Sequence, residues 1–304
     1  MALEPADLAA DLADCEMVEA QRRIVALFTA AGLDTPALDA RRLLAGACGI
    51  EPGDVLLHPS RTIAADEARR LSDFVRRRRA REPVSRILGI RAFHGLDFEV
   101  TPATLDPRPE TETLVDGVLA VVRSGACAGG EAPRILDVGT GTGAILLALL
   151  AALPRATGVG VDIDPDALEV AGRNAERHGL ARRVTFARSD WLDAVEGRFD
   201  VIVSNPPYIP RGDIAGLDPD VRCHDPLRAL DGGEDGLDAY RVLIPAAADK
   251  LNAGGWLAME VGDGQAPAAA ALLQSVFGRL STRTEVRHWT DMAGKPRCVA
   301  VQHL

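Results

Sequence analysis

The residues Asn-Pro-Pro-Tyr at positions 205–208 directly follow an apolar run at 199–204. Each proline fixes its own φ angle and keeps the residue before it extended, so Asn205 and Pro206 cannot enter a helix and use up their own carbonyl groups. The Asn205 side-chain oxygen and the Pro206 carbonyl remain as two outward-facing hydrogen-bond acceptors. Such a pair can hold both hydrogens of an NH2 group and aim its nitrogen at a methyl donor.

This turn predicts methyl transfer to a planar nitrogen, whose lone pair is otherwise delocalised. Asn205 and Pro206 are the predicted catalytic residues. Together with Pro207 and Tyr208 they form the predicted substrate site, in which the Tyr208 ring offers a flat surface for stacking. The alternative interpretation is a proline-rich turn that only ends a buried strand.

A glycine-rich turn follows the apolar run at 135–138 and is the first part of a predicted cofactor site. Glycines let the backbone approach a ligand closely, and the start of the helix that follows offers N–H groups. The spacing is Gly-x-Gly-x-Gly, which differs from the Gly-x-Gly-x-x-Gly of dinucleotide sites. The predicted contacts are Gly139, Thr140, Gly141, Thr142 and Gly143.

Three later side chains extend this cofactor site. Asp162 ends the next predicted strand, nineteen residues after Gly143, where a carboxylate can accept both ribose hydroxyls of a nucleoside. Helix capping is the other role for an aspartate here, but Asp164 before Pro165 fits it better. Asp190 and Trp191 follow the third strand and are predicted to lie beside an adenine, although Trp191 could simply cover the sheet edge.

The elements that must position these residues alternate between strand and helix, which is typical of an α/β fold with a doubly wound parallel sheet. A further pair of strands has no helix between its members and is predicted to form an antiparallel edge. The predicted strands are 134–138, 158–162, 183–187, 199–204, 256–261, 283–289 and 297–301, and the helices are near 143–152, 165–178, 237–251 and 265–277.

The first part of the chain has a different pattern. Apolar residues at helical spacing predict helices at 15–31, 35–48 and 64–81, and hence a small helical bundle over residues 1–82. Residues 83–106 are predicted to form a β-hairpin linker that turns at His94 and Gly95. The sheet domain is then expected over residues 107–304.

Charge is distributed unevenly over the 304 residues, whose formal net charge is −10. Between 61 and 91 there are ten arginines and four acidic residues, so the rest is strongly acidic. An acidic body disfavours a broad duplex-binding face, and no stable nucleic-acid binding is expected. The run from Arg76 to Arg79, with Arg77 and Arg78 at its centre, is either a solvated helix face or a grip for an acidic partner or an RNA backbone.

Several protein classes are disfavoured by composition. The five cysteines have no paired spacing, which argues against a disulfide framework and against a zinc site, so no metal is expected. The acidic start lacks the layout of a signal peptide, and the longest apolar run, at 144–153, is too short to span a bilayer. A cytoplasmic location is therefore expected.

Taken together, these residues resemble the class I S-adenosylmethionine-dependent methyltransferases, and more narrowly the peptide chain release factor glutamine methyltransferases. The resemblance covers nearly the whole chain. Its motifs are Glu-Pro-Val at 82–84, Pro-Arg-Pro-Glu-Thr-Glu at 107–112, the glycine-rich segment 137–145, Ser-Asp-Trp at 189–191, Asn-Pro-Pro-Tyr at 205–208 and Ala-Leu-Asp-Gly-Gly-Glu-Asp-Gly-Leu at 229–237.

The resemblance implies a seven-stranded Rossmann-like sheet behind a helical domain that docks the substrate. It implies a methyl transfer from S-adenosylmethionine to N5 of the glutamine in the Gly-Gly-Gln motif of class I release factors, which modulates translation termination and leaves S-adenosylhomocysteine. By this resemblance, the residues that contact the cofactor are 139–143, Asp162, Trp191 and Asn205. The residues that bind the glutamine are 205–208. A monomer is expected.

The chain departs from the family at two positions. Asp106 stands where the family usually has an aliphatic residue, and Asp225 stands where it usually has glutamate. Both changes could affect how the loop at 210–235 closes. Glu110 and Glu112 are expected to stabilise the start of a helix, with a direct catalytic role as the alternative.

Other functions remain open from sequence. A nucleic-acid methyltransferase that acts on the exocyclic amine of adenine or guanine could use the same turn, but it would have to flip a base and hold a polyanion. A ribosomal-protein glutamine methyltransferase is a related alternative, and the motif at 107–112 favours release factors over it. A non-catalytic protein that only binds S-adenosylmethionine would have no use for the two acceptors at Asn205 and Pro206.

Overall fold

The computed structural model describes residues 5–304, so residues 1–4 of the predicted 1–82 domain lie outside the described part. The chain forms two compact units. We call Met1–Gly89 with Pro219–His224 the helical unit, and Ile90–Asp218 with Asp225–Leu304 the sheet unit. The division therefore falls at Gly89, and the hairpin predicted as a linker belongs to the sheet unit, because Phe93 and Phe98 are buried in the core of that unit.

The helical unit is built from short amphipathic helices around a continuous apolar core. Ile24, Phe28, Leu44 and Leu71 are completely buried in it. The three predicted helices are present, and α1, α4 and α6 were not predicted because each is only one or two turns long. The helices are α1 Pro5–Leu12, α2 Met17–Ala30, α3 Pro36–Cys48, α4 Asp54–Leu57, α5 Ala65–Arg79 and α6 Val84–Leu88.

The sheet unit begins with a two-stranded antiparallel hairpin and continues with alternating strands and helices. Short 3-10 turns lie at Pro109–Thr111, Arg211–Gly216 and Leu227–Ala229. The other elements are β1 Ile90–Phe93, β2 Leu96–Glu99, α7 Glu112–Arg123, β3 Arg134–Val138, α8 Ala144–Ala152, β4 Thr157–Asp162, α9 Pro165–Arg177, β5 Val184–Arg188, β6 Phe199–Ser204, α10 Pro219–Arg222 (in the helical unit), α11 Asp238–Lys250, β7 Leu251–Glu260, α12 Ala266–Leu280, β8 Val286–Thr290 and β9 Pro296–Gln302.

Within the described residues, the main sheet has seven strands in the order β5-β4-β3-β6-β7-β9-β8. The first five strands in this order, β5, β4, β3, β6 and β7, are parallel to one another. Strand β9 is antiparallel to both of its neighbours, β7 and β8. The α/β class, the seven-stranded sheet and the antiparallel edge are thus confirmed. The last strand lies between β7 and β8, an order that sequence alone did not define.

Several boundaries differ from the predictions, and two of these differences have a clear physical reason. Strand β7 begins at Leu251 instead of residue 256, because Gly254 and Gly255 interrupt the apolar pattern inside a strand that is nevertheless paired. Within the segment predicted as the hairpin at 83–106, the first strand begins only at Ile90, because residues 84–88 form helix α6, which Gly89 ends with a left-handed φ of 71°.

Helices cover both faces of the sheet, which explains why the central strands are nearly continuous apolar runs. Helices α7 and α8 pack on one face and α11 and α12 on the other. Helix α8 is apolar all round and is buried from Ala144 to Leu150, as expected for a helix enclosed on all sides. Among the described residues, no helix combines the length and apolarity needed to cross a membrane.

One member of the arginine run on α5, Arg78, is buried and has a structural role. Arg78 is 6% exposed, and its guanidinium lies 2.8 Å from Asp39 and 2.7 Å from Asp220. Arg77 makes a bidentate ion pair with Glu82, at 2.8 and 2.5 Å. The interpretations as a solvated face or a partner grip are therefore wrong for Arg78, because its charge is already used to hold residues 219–224 in the helical unit.

We expect Arg78→Ala to lower the free energy of unfolding of the helical unit by about 3–5 kcal/mol, since it leaves the buried Asp39 carboxylate without its cation. The matched control is Arg76→Ala, because Arg76 is exposed and pairs with Asp73 on the surface, a type of pair that contributes about 1 kcal/mol or less. Urea unfolding measures both. Equal losses for the two variants would contradict a structural role for Arg78.

Candidate functional site

The carboxyl ends of β3, β4 and β6 meet at one edge of the sheet and open into a cavity of about 440 Å³. Val138 pairs with Ser204 and with Val161, so Gly139, Asp162 and Asn205 leave the sheet side by side. A cavity of this volume suits a nucleoside-sized ligand. The predicted site residues that line it are Gly139, Thr140, Gly141, Thr142, Asp162, Asp190, Trp191, Asn205, Pro206 and Pro207.

Two predicted site residues, Gly143 and Tyr208, are not among the residues that line this cavity. Gly143 has a left-handed φ of 79° and precedes the first residue of α8, where a Cβ would lie 3.1 Å from Leu147. The phenol of Tyr208 donates a hydrogen bond to Glu260 at 3.2 Å. Contacts of these two residues with a ligand stay predictions.

The glycine-rich turn is held against the end of β4 by its own backbone. The N–H groups of Gly139 and Thr140 both donate to the Val161 carbonyl, at 2.8 and 2.9 Å. Gly139 and Gly141 have left-handed φ values of 74° and 54°, which glycine adopts without steric cost. These bonds place the turn along the cavity wall, where the backbone is accessible to a ligand.

Asp162 supports this turn and still has acceptor capacity left. Its two oxygens accept the N–H groups of Gly141 and Asp164, at 2.9 and 3.0 Å. Each carboxylate oxygen can accept a second hydrogen bond, so two ribose hydroxyls could still donate to it. Burial is the largest influence on this group and raises the pKa of Asp162. Helix α9 is capped by Asp164, whose side chain accepts the Asp166 N–H at 3.0 Å, as the sequence predicted.

A second aspartate lies beneath the turn. Asp137 is completely buried, and the Thr140 hydroxyl donates to it at 2.7 Å. Burial raises the pKa of Asp137 to about 7. This hydrogen bond fixes the Thr140 side chain below the turn. Asp137 thus helps to hold the glycine-rich turn in the conformation that lines the cavity.

Asn205 is anchored by the strand before it and by a side chain from another segment. The Ser204 hydroxyl donates to the Val138 carbonyl at 2.7 Å, which joins the end of β6 to the end of β3. The Asn205 side-chain NH2 contacts the Thr111 hydroxyl oxygen at 3.2 Å. No donor from residues 5–304 bonds the Asn205 Oδ1, so this oxygen is left as an acceptor beside the cavity.

Two residues next to Asn205 and Tyr208 were not predicted from sequence. Thr111 lines the cavity and is 4% exposed, and Glu260, at the end of β7, is 2% exposed. Burial raises the pKa of Glu260 to about 7. The signal that sequence offered was a single acid in the otherwise apolar run at 256–261. Thr111 offered no such signal, because it lies between two residues that can carry charge, Glu110 and Glu112.

The two departures from the family motifs are both buried in the sheet unit. Asp225 forms an ion pair with Arg108, so the shorter aspartate still connects the loop at 210–235 to the segment at 107–112. Asp106 is 3% exposed. Glu112 accepts the backbone N–H of His94 at 2.8 Å, where it stabilises the hairpin turn, and Glu110 is exposed.

Two family models match the chain. One, described as the PrmC N-terminal domain, matches residues 19–89. The other, described as the methyltransferase small domain, matches residues 126–215. The first match falls within the helical unit, and the second includes the glycine-rich turn, Asp162 and Asn205.

Curated relatives match both units. A release factor glutamine methyltransferase from Rhodospirillum rubrum is 51% identical over 269 residues, which cover 88% of this chain and 79% of the relative. Proteins of the same name from Agrobacterium fabrum and Bradyrhizobium diazoefficiens are both 46% identical, over 86% and 94% of this chain and 88% and 94% of the relatives.

Solved structures are similar in fold. The catalytic domain of human Mettl16, solved in complex with a hairpin of the MAT2A 3′UTR, has a TM-score of 0.54 at 16% identity and covers 69% of this chain and 77% of that chain. The N-terminal domain of human METTL16, solved with SAH, has a TM-score of 0.50 at 16% identity, with the same coverage. At this identity, the likeness is to the methyltransferase fold.

We expect Asp162→Ala to weaken the binding of S-adenosylmethionine by about 1.5–3 kcal/mol, because hydrogen bonds to a charged acceptor are lost. Glu169→Ala on the exposed face of α9 is the control, since it changes the same charge outside the cavity. Isothermal titration calorimetry measures both. Unchanged affinity in a folded Asp162 variant would place the ribose elsewhere.

Proposed function

Because the chain belongs to the release factor glutamine methyltransferase family, we propose that it transfers a methyl group from S-adenosylmethionine to N5 of a release factor glutamine. The proposed target is the glutamine of the Gly-Gly-Gln motif of class I release factors. Identity of 51% over 88% of the chain supports the reaction and the type of substrate. The geometry of the cavity supports the roles of single residues.

The residues of the cavity wall fit S-adenosylmethionine. Asp162 keeps free acceptor positions for the ribose, the turn from Gly139 to Thr142 provides accessible backbone, and Trp191 offers a flat ring. When bound, this cofactor supplies a methyl group activated by a sulfonium. No metal has a part in the proposed reaction.

The observation that best supports this reaction is the position of Asn205 at the cavity. Its NH2 is bound to Thr111, and its Oδ1 is left as an acceptor. Asn205 Oδ1 and the Pro206 carbonyl would each accept one N–H of the glutamine amide. These two bonds would set the direction of the amide nitrogen, so positioning is the main catalytic contribution of the protein. No side chain of the chain has to act as a nucleophile.

The substrate proton requires no dedicated acceptor. An amide nitrogen that has gained a methyl group is strongly acidic, so its proton can leave to water after transfer.

We expect Asn205→Ala to lower kcat by about 10² to 10³, the scale found when one preorganised polar group is removed from a reacting centre. The affinity for S-adenosylmethionine should change less than kcat. Asn252→Ala is the matched control, because Asn252 lies at the start of β7 and bonds Asp200 at 2.8 Å. Methyl transfer to a release factor, to a ribosomal protein, to DNA and to RNA is followed with labelled cofactor in single turnovers.

A wild-type rate for the Asn205 variant would show that the amide is held differently. Labelling of DNA or RNA in place of the release factor would favour the nucleic-acid amine methyltransferase. Labelling of a ribosomal protein alone would favour that alternative glutamine substrate.

We further propose that the helical unit docks the release factor. None of the described residues that line the cavity comes from this unit, and residues 19–89 match the family model described as the PrmC N-terminal domain. Leu56 and Leu57 on α4 are 60% and 72% exposed. Adjacent exposed leucines are the kind of apolar anchor that protein partners bury.

We expect the double variant Leu56→Ala, Leu57→Ala to raise KM for intact release factor about tenfold or more, because a buried apolar anchor of an interface contributes on the order of 1–2 kcal/mol. The KM for a short Gly-Gly-Gln peptide should stay constant. Leu280→Ala in the sheet unit, where the leucine is 54% exposed, is the control. An unchanged KM for intact factor would exclude α4 from the interface.

A further inference from the structure

The orientation of the Asn205 amide decides whether the proposed reaction can occur. Its Oδ1 must face the glutamine, because a carbonyl oxygen accepts N–H groups whereas an NH2 group repels them. The 3.2 Å contact with Thr111 does not by itself select this orientation, since a hydroxyl can donate to Oδ1 as well as accept from Nδ2. A further group must determine the direction in which the Thr111 hydroxyl points.

Glu260 is placed to be this group. Its carboxyl is 2% exposed, and its Oε1 accepts the Tyr208 hydroxyl at 3.2 Å. Its Oε2 is buried and has no hydrogen-bond partner among the described residues, which is a costly state for a carboxylate. The Thr111 hydroxyl, which lies 3.2 Å from the Asn205 NH2, also lowers the pKa of this carboxyl as a nearby hydrogen-bond donor does. Thr111 is therefore a candidate donor for the unpaired oxygen of Glu260.

We propose that ionised Glu260 draws the Thr111 hydroxyl hydrogen toward itself and thereby makes Thr111 an acceptor for Asn205, which turns the Asn205 Oδ1 to the substrate. Thr111 and Glu260 are then positioning residues for the reaction. The same carboxylate holds the Tyr208 hydroxyl, so both ends of the Asn-Pro-Pro-Tyr turn depend on one buried charge. This inference rests on the proposed function of Asn205.

Protonation of Glu260 would reverse the chain of hydrogen bonds. A neutral carboxyl can donate to the Thr111 oxygen, and Thr111 then donates to the Asn205 Oδ1. The amide would turn its NH2 to the cavity and oppose the NH2 of the glutamine. The orientation that permits methyl transfer thus requires the carboxylate form.

The groups around Glu260 place this change near neutral pH. Burial, with a smaller contribution from the Glu110 charge, raises the pKa of Glu260 to about 7, although Thr111, Tyr208 and Arg297 act to lower it. Tyr208, Tyr240 and Cys298 also face the carboxyl, and burial, aided by the Glu260 charge, raises the pKa of each of them above the ordinary value, so they stay neutral. Activity should therefore be high above pH 7 and fall as the pH decreases through about 7.

The experiment measures single-turnover methylation of a release factor between pH 5.5 and 8.5 with the full chain. The variants are Glu260→Gln, Thr111→Val, Thr111→Ser and the double variant Thr111→Val, Glu260→Gln. The control is Glu285→Gln, which removes an exposed carboxylate from the same unit. Calorimetry with S-adenosylmethionine and thermal unfolding show that each variant is folded and binds the cofactor.

We expect Glu260→Gln to lower the rate about 10- to 100-fold at pH 8 and to abolish its dependence on pH near 7, because a neutral amide can donate to Thr111. Thr111→Val should cause a similar loss, and Thr111→Ser, which keeps the hydroxyl, should recover most of it. The double variant should be no slower than either single variant, since all three break one network. Glu285→Gln should keep the wild-type pH profile.

A wild-type rate and pH profile for Glu260→Gln would overturn the proposal, as would multiplicative losses in the double variant. If Glu260→Gln does not fold, the two Thr111 variants decide, and equal rates for valine and serine would overturn it. Failure of the proposed function is distinguishable, because the wild-type chain itself would then not label the release factor.

Discussion

The parallel pairing of β3 with β6 is the constraint on which the site depends. Val138 and Ser204 are 66 residues apart in sequence, yet they lie in register with each other. The order of the sheet reverses between them, and a crevice at the carboxyl ends is the usual result. The glycine-rich turn and the Asn-Pro-Pro-Tyr turn leave the sheet as neighbours for this reason. The Ser204 hydroxyl, bound to the Val138 carbonyl, prevents the two strand ends from separating.

Buried polar groups then give the turns their shape. Asp137 lies behind the glycine-rich turn, Asp162 beside it, and Glu260 behind Asn205 and Tyr208. Burial raises the pKa of each of these carboxyl groups, so the site is built from acids that ionise with difficulty. Such groups are costly for stability. Their positions around the cavity indicate that they serve its geometry.

Sequence predicted the parts of the fold and site that are local in the chain. The strand at 134–138 and the capping role of Asp164 follow from patterns within a few residues. The missed features depend on distant partners: Thr111 and Glu260 are 149 residues apart in sequence, and Arg78 is buried because Asp39 and Asp220 reach it. A single sequence does not show which distant residues contact each other in the folded chain. The short helix α4 was missed because one turn has no periodicity.

The central claim is that Asn205 and Pro206 hold the two hydrogens of the glutamine amide. A crystal structure of the complex with a release factor and S-adenosylhomocysteine tests it most directly. The account predicts that the glutamine amide nitrogen lies about 2.7–3.2 Å from both Asn205 Oδ1 and the Pro206 carbonyl oxygen, with Asn205 Nδ2 on Thr111. A glutamine nitrogen bound to other acceptors, or an Asn205 amide that presents its NH2 to the glutamine, would contradict it.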